Sequence, residues 1–463
     1  ALDAAGRLRL TPLTPGLIDL RVTATDRDGF TATRTHSVRV KDPSDNLAPQ
    51  LAWGGTLGSA LAGSAAVEVH TPTALSANLR EAQLMGWRLQ VAAAGSDAWT
   101  TLAEQESRAI ALDQPIALGN IDPGRLSNGV WRLRLTAWDL AGRSSEIESR
   151  IVVDSTDKAL PEALVTDASY ALGGHTLALT RLLSSLSSPA AQDEPTGMNP
   201  GGDFGNWALP LLDTQLSSDQ PATLASGATA AWLEGARVWL NVPEDLSAVT
   251  TGVRSLSFTL TTGADRLGNE ADAAQVRHPQ FSSSHGWTLE AYATAGSNTA
   301  DSVLRQGNRL YDGVSGLPWV PAAYTLIAPT GDRYELDGQG HIKRIAFADG
   351  AQWLVSDAGV AALTADGRPA ERLEFARDGQ GRIVHISGVR QGQTEPSSTA
   401  YRYDHQGRLV LVRALDTADD GTHYGYAPDG RLLTDMLSAH LGTPSRWDGV
   451  GNTWTGELSG TAV

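Results

Sequence analysis

The sequence predicts an all-β protein, and three observations predict it. Stretches such as Gly16 to Thr25 and Trp131 to Ala137 alternate apolar and polar residues at the two-residue period of a strand. Asp-Gly and Asn-Gly signals, which favour tight turns, separate such stretches. A phrase of strand, turn and strand, Tyr401-Arg402-Tyr403-Asp404-His405-Gln406-Gly407-Arg408-Leu409, returns in variant form several times toward the carboxyl end. Helical patterning offers one short candidate, Ser76 to Leu84.

At 463 residues the chain is long enough for about three domains. A hydrophobic content of 41% argues against disorder throughout. The net charge of −16 argues against nucleic acid or an anionic membrane surface as partner, since both attract basic patches. That charge is compatible with calcium, or with solubility alone. The absence of cysteine excludes thiol catalysis, disulfides and Cys-ligated zinc. No apolar run reaches the length of a membrane span. The chain opens Ala1-Leu2-Asp3, with neither Met nor a signal peptide, and reads as a fragment of a longer polypeptide.

In residues 1–46, Gly16 to Thr25 is a strand, Asp26-Arg27-Asp28-Gly29 a turn, and Thr31 to Val40 the returning strand. The phrase Val22 to Gly29, followed by Val38-Arg39-Val40-Lys41-Asp42, resembles the last hairpin of bacterial Ig-like modules. The resemblance implies a partial module without its front strands. Residues 47–157 read as a complete module. Gly86 to Val91, Ala98 to Leu102 and Trp131 to Asp139 are its strands, Asn128-Gly129 and Ala141-Gly142-Arg143 its turns. It resembles an Ig-like or fibronectin-like β-sandwich. Residues 158–320 are irregular and mostly β. Gly173 to Arg181, Arg237 to Val242, Ser255 to Thr261 and Trp287 to Tyr292 are strands, and Ser184 to Gly202 is a long polar loop. Residues 321–435 carry the repeated phrase, and 436–463 begin a further, truncated element around Trp447 and Trp454.

The copies begin at Tyr334, Phe375, Tyr401 and Tyr424, with weaker ones at Asp349-Gly350 and Asp366-Gly367-Arg368. Turn glycines Gly340, Gly359, Gly381, Gly407 and Gly430 fall about 19 to 26 residues apart, within the range of repeat architectures. One such hairpin is too small to bury its own apolar face, but stacked neighbours bury it continuously. Tyr-x-Tyr-Asp-x-x-Gly-Arg-Leu closely resembles the YD repeat of RHS proteins. These include bacterial polymorphic toxins and toxin-complex shell subunits, with animal teneurins related. The resemblance implies antiparallel β-sheet strips spiralling into a hollow shell. Thr180-Arg181 and Gly202-Asp203-Phe204 also match the segment that precedes the first repeats in that family. Asn206-Trp207 stands there in place of the usual Gly-Trp.

Candidate chemistry is sparse. Asp26, Asp28 and Asp42 near one module boundary, and Asp139, Asp154 and Asp157 near the next, fit either turn chemistry or part of a calcium site. They do not match a complete calcium loop, and metal content stays open. His278 and His285 are two loop histidines with Glu290 as the nearest third ligand, and lack the His-Glu-x-x-His spacing. Asp419-Asp420-Gly421 reads as a hairpin turn. Glycoside hydrolysis needs one buried acid at a set distance from a second, and the sequence offers no way to choose the pair. Gly-x-Ser-x-Gly, P-loop and dinucleotide motifs are absent. Tyr401, Tyr403 and the 13 tryptophans are expected to pack between strips rather than bind ligand.

No catalytic or cofactor-binding residue is assigned. The expectation is a non-enzymatic structural fragment of a large exported RHS/YD-repeat protein, enclosing, carrying or displaying cargo such as a toxin. Its partners would be the remainder of the same polypeptide. The alternative is a cell-surface adhesin binding glycans or protein receptors, and a less favoured third is a β-rich hydrolase. The first two place the chain outside the cell or on its surface.

Overall fold

The computed structural model describes residues 14–63, 66–94, 97, 99–106, 112–155, 163–183, 202–220, 229–244, 246, 253–264, 276–297, 299–389, 398–418, 420–426, 432–437, 446–447 and 454–455. The expected loop Ser184 to Gly202, apart from Gly202 itself, and Asp157, Asp419 and Gly430 lie outside these residues. The chain is all-β, and its described residues form several separate sheets with one four-residue helix, Gly58–Leu61. It divides into two compact units, residues 1–122 with 130–152, and residues 123–129 with 153–463.

In the first unit, β1 (Gly16–Thr25) and β2 (Thr31–Val40) form a two-stranded ribbon, paired from Gly16↔Val40 to Thr25↔Thr31. Next come β3 (Gln50–Gly54), β4 (Val67–Val69), β5 (Thr73–Glu81), β6 (Leu84–Ala93) and β7 (Thr100–Glu106). They are followed by β8 (Leu112–Ile121), β9 (Gly129–Asp139) and β10 (Ser144–Val153). One sheet runs β4-β10-β9-β6-β7 and the other β3-β5-β8. Each hides one face. Leu75, Ala77 and Leu79 are buried on β5, and Leu133, Leu135 and Ala137 on β9, at alternate positions as the pleat requires. The short helix expected over Ser76 to Leu84 is therefore a strand and its turn. The buried alternation of Leu75, Ala77 and Leu79 follows period two, and tertiary burial outweighs local propensity. Asn128-Gly129 is not a hairpin turn either. Asn128 exchanges two hydrogen bonds with the Ser155 backbone, and Gly129 opens β9.

The second unit begins with a hairpin, β11 (Ala163–Leu172) and β12 (His175–Leu183). A six-stranded sheet follows, with β13 (Gln215–Ser218), β14 (Arg237–Pro243), β15 (Val253–Ala264) and β16 (Val276–Phe281). After β17 (Thr288–Tyr292) come its last two strands, β18 (Val303–Gln306) and β19 (Arg309–Asp312). The third sheet has twelve strands. It starts at β17 and then takes every strand after β19 in chain order. These are β20 (Ala323–Ile327), β21 (Arg333–Asp337), β22 (Ile342–Ala346), β23 (Gln352–Ser356), β24 (Gly359–Leu363) and β25 (Pro369–Arg377). β26 (Ile383–Val389), β27 (Ser398–Tyr403), β28 (Leu409–Ala414), β29 (Thr422–Tyr426) and β30 (Leu432–Leu437) complete it. One continuous core joins all three sheets, with Trp207, Trp319 and Trp353 fully enclosed. At the carboxyl end, Arg446–Trp447 pairs with Trp454–Thr455.

One turn recurs throughout. Residue i donates to the carbonyl of i+4 and a left-handed glycine at i+3 donates back, which is a type I turn closed by a glycine bulge. It starts at Asp26, Asp139, Ala328, Asp337, Phe347, Thr364, Asp378 and Asp404. Where Asp leads, its Oδ1 accepts the N–H groups of i+2 and i+4, as at Asp378 with Gln380 (2.9 Å) and Arg382 (3.0 Å). Gly359 departs from the expected pattern. It follows a two-residue turn and opens β24, where its positive φ lets the backbone press against Leu373.

Candidate functional site

Three clusters concentrate the polar chemistry. The first is buried in the second unit. Leu177, Leu179 and Leu183 point into the core from β12, and Arg181 shares their parity. A bulge between Thr166 and Ala168 sets Asp167 out of register on β11, facing that arginine. The two form a bidentate pair, with Arg181 Nε and Nη2 each 2.6 Å from a carboxylate oxygen. Arg181 Nη2 also donates to Tyr424 Oη (3.0 Å), and Tyr401 Oη donates to Asp167 (3.0 Å). The guanidinium lies 4.7 Å from the Trp207 ring centre and 5.3 Å from that of Tyr424. Burial alone would pull the arginine's pKa down, and the adjoining carboxylate more than reverses this, so the charge is held.

The segment 202–216 runs from this centre along the repeats. Gly205, at φ +70°, turns the chain so closely onto Gly407 that a Cβ there would lie 2.0 Å from the Gly407 carbonyl. The bulges where β21 meets β22, β25 meets β26 and β27 meets β28 each leave one amide without a ladder partner, and this segment supplies the acceptors. Ile342 N–H reaches Thr214 Oγ1 (3.1 Å), Ile383 N–H the Asp203 carbonyl (2.7 Å), and Leu409 N–H Asn206 Oδ1 (3.0 Å). At the corresponding bulge of β25 the residue is Pro369, which has no N–H to satisfy.

Consecutive repeats are also tied to each other. Arg382 lies 4.4 Å from the ring centre of Tyr403 in the next repeat, and Arg408 lies 5.0 Å from that of Tyr426. Tyr403 Oη donates to the Ile383 carbonyl, and Tyr426 Oη to the Leu409 carbonyl (2.7 Å). Thus in the Tyr-x-Tyr pair the first tyrosine serves the Arg181 centre and the second covers the preceding turn.

The second cluster lines a polar cleft of about 320 Å³ at one end of the repeat hairpins. Asp203 pairs with Arg377 (2.6 Å). Asp213, from the same segment, has no ion-pair partner among the described residues. Burial, then repulsion from Asp203, push its carboxyl up to about 7. Asp203 is raised as well, chiefly by burial. Sequence reading quoted Asp203 only within a phrase and missed Asp213, which sits in an ordinary Leu-Leu-Asp-Thr stretch.

The third cluster is in the first unit. Carboxylate oxygens of Asp45, Glu81 and Asp139 lie within 4.8 Å of one another. Of the acids weighed between turn chemistry and a calcium site, Asp139 alone belongs to it. Asp26 Oδ1 instead caps its own turn at Asp28 and Phe30, and Asp42 holds Ser44. Three oxygens suit a hard cation poorly here. Arg143 already occupies the cluster, with Nε 2.6 Å from Asp139 and Nη2 2.9 Å from Asp45, while Glu81 Oε1 takes the Gln83 N–H (2.8 Å). Desolvation raises the Glu81 pKa. It would raise that of Asp139 too, but hydrogen bonds from Arg143 and Ala141 outweigh it, and the net shift is downward.

The remaining candidates are not brought together. His278 is a strand residue of β16 rather than a loop residue, bonded through Nδ1 to the Asp301 carbonyl (2.8 Å). His285, at φ 51°, forms the tight turn from Ser284 to Trp287. Glu290 engages Tyr292 (2.6 Å) and Arg333 (3.1 Å). Asp154 follows β10, outside the Asp45 cluster, and Asp420 is exposed.

No family model and no curated protein matches the chain. A solved structure described as a Ca2+-stabilized adhesin that helps an Antarctic bacterium bind ice is similar over 76% of this chain and 79% of that one. The identity is 12% and the TM-score 0.16, a likeness that carries no argument. Among the described residues, no helix is long and apolar enough to cross a membrane.

Proposed function

We propose that the chain is a structural, non-enzymatic segment of a large exported bacterial RHS/YD-repeat protein, in which Ig-like modules precede the opening strips of a β-shell. The observation that carries this reading is the tie between successive hairpins. The second tyrosine of one repeat stacks on the turn arginine of the repeat before it and bonds the adjoining carbonyl, twice in succession. Such a tie extends by adding identical units, as a wall that encloses cargo requires. The segment 202–216 fits the role of a strap that fixes the first strips. The rest of the same polypeptide is the cargo or its carrier.

Limited proteolysis of the natural full-length protein tests this. Sequence downstream of the repeats should resist protease when attached, and become sensitive once Tyr403→Ala and Tyr426→Ala are introduced together. Equal cleavage of the attached and free downstream segment would overturn the shell reading. Glycan or receptor binding that requires residues 1–157 would favour the adhesin instead.

A further inference from the structure

We propose that Asp213 makes the strap over residues 202–216 a proton-dependent latch, seated most firmly in acid and loosened toward neutral pH. The inference does not rest on the shell reading. It begins with the place of the carboxyl. Asp213 lines the cleft where the strap meets the hairpin turns of the repeats, and a Cβ built on Gly202 would lie 3.0 Å from its Oδ2. The strap is held there by three hydrogen bonds from backbone amides close by. Leu216 N–H meets the Gln339 carbonyl (2.8 Å), Ile342 N–H meets Thr214, and Ile383 N–H meets Asp203.

Among the described residues, the cations around the cleft each hold a carboxylate other than Asp213. Arg377 holds Asp203, Lys343 and His341 hold Asp337 (3.2 Å each), and Arg382 holds Asp378 (2.7 Å). Asp357 adds a further carboxylate to the lining. For an ionised Asp213, burial and repulsion from Asp203 outweigh the attraction of Arg377 and a backbone hydrogen bond at Leu209, while a protonated one is neutral and can donate a hydrogen bond.

The sign follows from linkage. The folded carboxyl titrates near 7 and the released one near the ordinary 3.8, so the seated strap binds the extra proton between those values. Opening therefore becomes easier as pH rises through that window and levels off above it. The upper limit is about tenfold per pH unit. Asp213 is only partly buried as a residue, so water entering the cleft will reduce this.

Hydrogen exchange on the full chain reads the latch directly. After correction for intrinsic rates, protection of the Leu216, Ile342 and Ile383 amides should fall about tenfold or more between about pH 5 and about pH 7. Asp213→Asn should remove that dependence and keep the amides protected at both values. His341→Gln should leave it in place, which separates the carboxyl from the nearby imidazole. pH-independent protection in the parent chain, or an unchanged dependence in Asp213→Asn, would overturn the proposal. If Asp213→Asn fails to fold, Asp203→Asn supplies the second arm. Removing that neighbouring charge should narrow the window from its upper end, and an unshifted window would count against the latch.

Discussion

The same five-residue turn closes the last hairpin of the first unit and the hairpins of the repeat sheet, yet its arginine does different work in each. At Asp139–Arg143 the guanidinium reaches back to a second carboxylate, Asp45, and ties the β1–β2 ribbon's outgoing chain to the sheet turn. At Asp378–Arg382 and Asp404–Arg408 it stays on its own aspartate and offers its flat face to a tyrosine one repeat later. The local chemistry is identical: an aspartate caps two amides, a glycine takes the left-handed step, and a cation returns to the aspartate. What differs is the residue across the turn. The Asp-x-x-Gly-Arg phrase thus specifies a hairpin, and the paired tyrosines specify that hairpins stack.

The largest expected effect breaks the buried centre on which Tyr401 and Tyr424 of the repeats converge. Arg181→Met should destabilise the second unit by about 3–5 kcal/mol, because Asp167 is left enclosed without its partner. Denaturant unfolding followed by tryptophan fluorescence would measure it, with Trp207 against the missing guanidinium as the reporter. Adding Asp167→Leu should restore part of the loss. A double variant no better than Arg181→Met would show that the aromatic cage, rather than the ion pair, sets the cost.

Next in size is a contrast within the repeats. Asp404 and Arg408 are almost completely enclosed, their side chains 4% and 7% exposed, whereas Asp378 and Arg382 retain 22% and 14%. Asp404→Asn should cost about 3 kcal/mol and Asp378→Asn about 1, since water screens the second pair more. Equal losses would mean that the capped amides, which Asn can still serve, outweigh the ion pair. Tyr426→Phe is smaller again. It keeps the ring over Arg408 and loses the bond to the Leu409 carbonyl and the acceptor for the Trp207 indole, for about 1 kcal/mol.

These contrasts also mark what could be read from the sequence. The strands at Gly16, Trp131 and Tyr401 follow from alternation, and the turns from Asp and Gly, because both signals are local. The packing of Tyr401 and Tyr403 between strips is equally legible, since strand aromatics of that size need cover. The Arg181 centre carries a weaker signal, a charge set in the parity of Leu177, Leu179 and Leu183, which implies a buried partner without naming it. Asp167 could not be named, because a bulge rather than a motif turns it inward. Asp213 and the Asp45–Glu81–Asp139 group are closed by residues far apart in the chain, and no spacing rule joins them. The helix expected over Ser76 to Leu84 failed for the same reason, its burial being set by strands β3 and β8 on either side.

The smallest effect in mild acid is expected from Arg143→Met, and its pH signature makes it the sharpest test of the comparison. The side chain is 27% exposed, so water replaces part of what it gives to Asp45 and Asp139. Without it three carboxylates within 4.8 Å lose their one guanidinium. Glu81 is already raised above its usual value by burial and by those two neighbours, and losing the cation should raise it further. A carboxyl raised in the folded state contributes most below its unfolded value, and that contribution is lost as pH rises through the folded one. The variant should therefore match the parent most nearly in mild acid and fall behind as pH rises toward 7, as thermal unfolding at a series of pH values would show. Arg382→Met should show no such slope, because its loss exposes one aspartate at an open turn instead of a buried group. Parallel pH profiles for the two variants would mean that the two turns are energetically alike despite their different neighbours.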